Sequence, residues 1–218
     1  MSRAKYTEEE RDAILINFID KTKTIIESQG LEQVTTRRLA ELTGYNSAKL
    51  YFYFRNLDEL VTMSLLSNLE DYCCALASDG ARMTDAYETL IHTWRLFCRF
   101  AFREPKAYYH IFFGRHETPI EDIIHEYYRL FPQQLEKLSG GVHDMLLQGS
   151  LTKRNLKVLE PLAEKGLLAR DNLALVNDLM VLYFKELMER CRENPPEYSV
   201  QCAMTEDFIN AAEFLLRN

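Results

Sequence analysis

Thr36-Arg37-Arg38-Leu39-Ala40-Glu41-Leu42-Thr43-Gly44-Tyr45-Asn46-Ser47-Ala48-Lys49-Leu50-Tyr51-Phe52-Tyr53-Phe54 is the stretch on which the fold turns. Two short helical segments meet at Gly44. Thr35 or Thr36 can cap the first, with Leu39, Ala40 and Leu42 turned inward, and Gly44 supplies the left-handed residue that ends it. Asn46 or Ser47 can cap the second, which runs to about Phe54. Leu39, Ala40, Leu50 and Phe54 are placed to pack the pair together, Ala40 being small enough for close approach, while Asn46, Ser47, Lys49, Tyr51 and Tyr53 are left for the other face. This is the layout of a helix-turn-helix, whose second helix lies in a DNA major groove and presents polar side chains to base edges. Arg37 and Thr36, at a helix start where free N–H groups already favour an anion, suit phosphate. Lys49 adds charge or reaches a guanine edge.

Outward from that stretch the pattern stays helical. From Thr7 to Ser28 the apolar positions Ile14, Leu15, Phe18, Ile19, Ile25 and Ile26 recur at steps compatible with one buried stripe, and Gly30 stops the helix. On the other side, Asn56-Leu57-Asp58-Glu59 has the N-x-x-E form of a capping box. Further helical segments are expected near 57–78, 83–103, 105–115, 119–148 with a kink or break at Pro132, 154–165, 171–193 and 204–217. Breaks fall at Asp79-Gly80, Glu104-Pro105, Gly140-Gly141 and Asn194-Pro195-Pro196. The fourth helix is expected to run from the N-terminal head into the body without a joint, coupling the two mechanically.

Composition agrees with an all-α chain. Of 218 residues 47% are hydrophobic, with only 8 Gly and 6 Pro, which excludes disorder and a loop-rich all-β fold. No apolar run approaches the roughly 18 residues of a spanning helix, and the N-terminus is charged where a signal peptide is apolar, so a soluble, cytoplasmic protein is expected. The five cysteines, Cys73, Cys74, Cys98, Cys191 and Cys202, are scattered without a CxxC and read as buried thiols. The net charge of −7 argues against a general nucleic-acid coat, yet residues 33–57 hold Arg37, Arg38, Lys49 and Arg55 against Glu41 alone, a local +3.

The head resembles the tetracycline-repressor (TetR) family of bacterial transcriptional regulators. The resemblance rests on Gly30, the Thr36 to Ala40 stretch, Gly44, and Leu50-Tyr51-Phe52-Tyr53-Phe54 followed by Asn56-Leu57-Asp58-Glu59-Leu60, similar to the family's L-Y-x-[YH]-F-x-[SN]-K-E-x-L signature. It covers about the first 60 residues in detail. It implies DNA contacts at Thr36, Arg37, Asn46, Ser47, Ala48, Lys49, Tyr51 and Tyr53, the two tyrosines meeting phosphate. Two positions depart: the family's usual lysine early in the fourth helix is Leu57, and its common recognition-helix glycine is Ala48.

Between Trp94 and Phe131 the chain is dense in rings, interspersed with histidines. Trp94, Phe97, Tyr109, Phe112, Phe113 and His116 are the candidate walls and polar handles of an effector pocket, to be set against the plainer role of packing the core. His116-Glu117 with Glu121 and His125 is interrupted by Pro119, so no metal site is expected. Nor is a cofactor, and the absence of G-x-S-x-G or a Gly-rich phosphate loop argues against an enzyme. Near the C-terminus two apolar bands include Val176, Met180, Tyr183, Leu187, Phe208, Ala212 and Leu215. Paired across a two-fold they make a four-helix bundle, the interface the family resemblance also implies; the alternative is burial within one subunit.

The expected architecture is therefore an all-α chain, with an N-terminal three-helix helix-turn-helix DNA-binding domain at 1–58 and a C-terminal helical-bundle domain at 59–218 that binds an effector and dimerises. The expected function is a ligand-responsive regulator, a repressor that binds a palindromic operator as a homodimer and is released by a small apolar or aromatic effector. Its partners are double-stranded operator DNA, the effector and a second copy, with no membrane. Two rivals stand beside it: a co-regulator of the same fold that binds a protein instead of DNA, and a helical ligand-binding enzyme.

Overall fold

The computed structural model describes residues 6–80, 85–136 and 141–217, and among these every regular element is helical. In chain order they are α1 (Glu8–Gln29), α2 (Thr36–Thr43), α3 (Ser47–Tyr53), α4 (Leu57–Leu65), α5 (Glu70–Gly80), α6 (Ala86–Arg103), α7 (Pro105–Phe113), α8 (Ile120–Leu130), α9 (Pro132–Glu136), α10 (Gly141–Leu146), α11 (Leu151–Glu164), α12 (Leu173–Cys191) and α13 (Tyr198–Arg217). The expected start at residue 83 lies outside the described residues, as does Gly140 of the expected Gly-Gly break. None of the described helices is long and apolar enough to cross a membrane.

Local chemistry explains most boundaries. Thr7 opens α1 with a full capping box: its hydroxyl accepts from Glu10 N–H, and the Glu10 carboxylate accepts from Thr7 N–H at 2.8 Å. Pro105 opens α7, where a missing N–H costs nothing. Ser150 caps α11, which starts three residues earlier than expected, and α13 begins at Tyr198, with one residue between it and Pro195-Pro196 and six residues before its expected start.

The continuous helix expected over 57–78 is not formed. α4 ends at Leu65, a 3-10 turn follows over Leu66–Leu69, and α5 begins at Glu70. Hydroxyls crowd this point. Ser64 donates to Leu60 O at 2.7 Å and Ser67 to Ser64 O at 3.1 Å, while the Leu66 N–H is shared between the carbonyls of Met63 and Thr62. Side-chain donors that occupy helical carbonyls loosen the ladder, and the chain tightens into a 3-10 turn.

The chain divides into two compact units. The first comprises residues up to 67 together with 116–132. Here α1 packs against α2 and α4, α2 against α3, and α8 against α4. Its core is the α1 stripe of Ile14, Leu15, Phe18, Ile19 and Ile25 closed by Leu39, Leu50, Phe54 and Leu60. Leu42, expected to face inward, is exposed: three residues beyond Leu39 it lies about 60° round a helix only two turns long, past the edge of the buried stripe.

The second unit comprises residues 68–115 and 133–217. There α6 is central, packing on α5, α7, α11, α12 and α13. Its core is a ring cluster in which Trp94 meets Phe208 at 4.4 Å and Phe184 at 5.3 Å, and Phe97 meets Phe184 at 5.2 Å. Each such ring contributes about 1.5–3 kcal/mol by leaving water. The ring-dense stretch of the sequence is thus split: Tyr127 and Phe131, 4.8 Å apart, belong to the first unit, whereas Trp94 to Phe113 belong to the second.

Candidate nucleic-acid interface

Thr35, not Thr36, caps α2, its hydroxyl accepting from Arg38 N–H at 3.3 Å. Gly44 closes α2 at φ 72°, and a Cβ there would meet nothing within 4 Å, so it is the left-handed backbone alone that favours glycine. Asn46 caps α3, with Oδ1 accepting from Lys49 N–H at 2.9 Å. Leu50 and Phe54 then point inward, and Phe54 meets Phe18 edge-on at 5.9 Å. The inner side of the helix-turn-helix is thereby fixed on α1, and its outer side is set by difference.

On that outer side Ser47 and Ala48 are exposed, with Tyr51 (56%) and Phe52 (78%) one turn further on. Thr36 is half-buried at the start of α2. Arg37 is 88% exposed and lies 3.6 Å from Glu41, the one acid between residues 33 and 57. Lys49 turns aside: its ammonium sits 3.7 Å over the Tyr45 ring and 3.4 Å from the Tyr6 hydroxyl. Tyr53 also differs from the expected outward tyrosine, because its hydroxyl is enclosed and has no hydrogen-bond partner. Burial raises its pKa above the usual phenol value. Phe52, passed over in the sequence as part of an aromatic run, is the most exposed large apolar side chain among the described residues of the head.

The segment after α3 is held from two directions. Asn56 Oδ1 accepts from Glu59 N–H at 2.8 Å, as the N-x-x-E pattern predicts, but the Glu59 carboxylate takes the N–H of Arg55 at 2.6 Å. The Asn56 amide donates to Glu117 at 2.8 Å. His116, a candidate for the effector pocket, instead lies within this first unit, with Nδ1 3.0 Å from Asp58 and 3.3 Å from the Thr62 hydroxyl.

The other pocket candidates lie in the second unit. Trp94 and Phe97 line a recess of about 20 Å³, roughly the room of one water, together with Tyr72, Thr93, Arg154 and Asn155. Trp94 Nε1–H donates to Asn155 Oδ1 at 2.8 Å. The buried Arg154 donates to the carbonyls of Gln148 at 2.7 Å and Leu146 at 2.9 Å, closing the end of α10, and covers the Phe112 ring at 5.0 Å. Phe112 stands behind Phe97 at 5.3 Å. Tyr109 packs on Phe113 at 5.5 Å under the Arg192 guanidinium, so neither ring lines the recess.

Of the residues expected at a subunit interface, Val176, Met180, Leu187, Phe208 and Ala212 are buried within the second unit, and Tyr183 and Leu215 are half-buried. The bands are wider than one face. Leu175, Leu179 and Leu182, at helical spacing on α12, and Phe214 on α13 are exposed. A single apolar spacing pattern could not say which half of each band the protomer keeps for itself.

Residues 18–62 match the family model of the bacterial regulatory proteins of the tetR family. The fold resembles that of Thermus thermophilus FadR, a TetR-family transcriptional repressor solved in complex with lauroyl-CoA, at 16% identity and a TM-score of 0.57, covering 93% of this chain and 92% of that one. It also resembles RolR, solved in complex with resorcinol, at 15% identity and a TM-score of 0.56, covering 96% of each chain. No curated protein matches the chain in sequence.

Proposed function

We propose that this chain, a TetR-family transcriptional regulator by its N-terminal domain, represses transcription by binding a palindromic operator as a homodimer and is released by a small apolar or aromatic effector. The observation that carries the reading is the outer side of α3, which is free of the core, flanked by Arg37 and Arg55, and set within an otherwise acidic chain. Backbone N–H groups and arginines hold register on phosphate while side chains on the groove-facing helix read bases. In this scheme Thr36, Arg37 and Tyr51 meet phosphate, Ser47 and Ala48 face the bases, and Asn46 acts through capping with its amide directed outward. Lys49 must leave the Tyr45 ring to touch DNA, and Tyr53 supports the helix from within.

The effector reading is supported by the recess at Trp94 and Phe97 and by the bound molecules of the two structural neighbours, one with a long acyl chain and the other an aromatic diol. A ligand larger than water enters only by displacing ring side chains. One that favours the DNA-free form lowers operator affinity by linkage, about 5 to 150 fold for a coupling of 1–3 kcal/mol. Dimerisation through Leu175, Leu179, Leu182 and Phe214 would cover the exposed apolar face of the last two helices and supply the two-fold that a palindrome requires. Such a protein performs no covalent chemistry and works in the cytoplasm.

Selection from a randomised duplex library, followed by anisotropy titrations of the enriched duplex across salt, tests this. The expected result is a palindromic motif bound with a steep salt slope. Failure to enrich any sequence overturns it and favours the protein-binding co-regulator.

A further inference from the structure

We propose that Phe52, with Ala48, reads thymine 5-methyl groups in each operator half-site and so determines specificity. The inference rests on the operator reading above and adds the base it selects. Phe52 is 78% exposed on a helix whose inward positions are already filled by Leu50 and Phe54. An apolar ring left in water on a helix of seven residues gives the fold nothing beyond its contact with Tyr53, 5.2 Å away. Ala48, four residues earlier, is exposed too, and side chains at i and i+4 are neighbours on one helical face. The two make an apolar strip bordered by the hydroxyls of Ser47 and Tyr51.

The occupant follows from the surroundings. Arg37 and Arg55 are exposed on the same helix-turn-helix, in a window of local charge +3, and this complements a polyanion. Within a DNA major groove the feature that rewards an apolar side chain is the thymine methyl, and alanine and phenylalanine are among the residues that contact it. The glycine expected by family resemblance at position 48 would leave a gap in the strip, whereas the Ala48 methyl fills it. Lys49, drawn onto Tyr45 at 3.7 Å, leaves the strip uncharged.

The probe is the duplex enriched from the randomised library, remade with each thymine of the half-site replaced in turn by deoxyuridine, which removes the methyl and leaves every hydrogen-bonding group. Wild-type protein is expected to lose about fourfold in affinity for each methyl that Phe52 or Ala48 covers, the worth of one buried methylene. Phe52→Ala is expected to lose the preference at one thymine or more of the half-site, binding the thymine and deoxyuridine duplexes there within twofold of each other, while any thymine covered by Ala48 keeps its preference; the melting temperature should be unchanged because the ring is exposed. Phe52→Leu, which keeps apolar bulk, should retain part of the preference. If the duplex is enriched but no deoxyuridine substitution weakens wild-type binding, or if Phe52→Ala keeps the full preference, this inference falls while the operator reading stands. If no sequence is enriched, both fall, and Phe52 is then the contact of a protein partner.

Discussion

Arg129 grips both carboxylate oxygens of Asp12, Nη1 to Oδ2 at 2.8 Å and Nη2 to Oδ1 at 2.7 Å, across 117 residues of chain. The pair fastens α8 to α1 and so brings a late helix into the first unit. The Arg129 hydrogen bond holds the Asp12 carboxyl below its ordinary value, outweighing partial burial, which acts the other way. A carboxyl depressed by folding adds stability that is present above its unfolded pKa and lost as pH falls through its folded one. Asp12→Asn is therefore expected to lower the melting temperature by about 1–4 °C at pH 7, corresponding to roughly 0.5–1 kcal/mol for a partly exposed pair. The deficit should fade below the usual carboxylate range near pH 3. Thermal melts at the two pH values check this, and an equal deficit at both would show that the carboxylate charge is not the cause.

Asn155→Leu removes the acceptor of the buried Trp94 N–H. An unsatisfied buried donor costs about 1–3 kcal/mol, here with little change in side-chain volume. Because Trp94 is the sole tryptophan, its emission reports the site directly. Urea titrations followed by fluorescence should show a lower midpoint and altered native emission. An unchanged midpoint would mean the bond is dispensable.

The cysteines separate by burial. Cys73, Cys98 and Cys191 are buried, which contradicts the expectation of five buried thiols only for Cys74 and Cys202, both exposed. Burial pushes the Cys73 thiol up to about 12 and Cys191 up to about 11, so neither supplies thiolate near neutral pH. With a disulfide reagent at pH 8, Cys74 and Cys202 should react in the native protein and the other three only after unfolding. Mass spectrometry of labelled peptides gives the count by position.

Arg37→Ala is expected to weaken binding to the selected duplex and to a scrambled one by similar factors, and to reduce the salt slope by about one. The side chain is exposed and its ion pair is the surface contact with Glu41 at 3.6 Å, so stability should hold. A loss confined to the selected duplex would make Arg37 a base reader instead of a phosphate contact.

Leu182→Glu places a charge in the exposed apolar row of α12 without touching the protomer core. Sedimentation of the wild type is expected to give a dimer and that of the variant a monomer, with operator affinity falling sharply as the two half-sites become independent. A variant that stays dimeric would move the interface off this face.

Much of the head was legible in the sequence because its determinants are local. The cap at Asn56, the stop at Gly44 and the inward pair Leu50 and Phe54 act within a few residues of themselves, so spacing alone places them, and it narrows the α3 cap to Asn46 or Ser47. The outward direction of Phe52 was equally implicit in that spacing, being set between Leu50 and Phe54, but the aromatic run around it concealed it.

Tertiary structure decided what depends on partners far along the chain. Periodicity marks the apolar bands of α12 and α13, yet which half is buried depends on where α6, α7 and α11 lie against them. A ring in the sequence says nothing of its neighbours, and so Phe184 and Phe208 joined Trp94 at the core while Tyr109 turned to Arg192. The assignment of α8 to the first unit, through Arg129 and Asp12, is of the same kind. By itself the sequence determined that the chain is helical, where the head's helices start and stop to within a residue or so, and the inward pair Leu50 and Phe54, since these follow from hydrogen bonds and side-chain spacing within a turn or two. Only the packed chain decided which apolar surface each helix keeps, because burial is a property of two surfaces brought together.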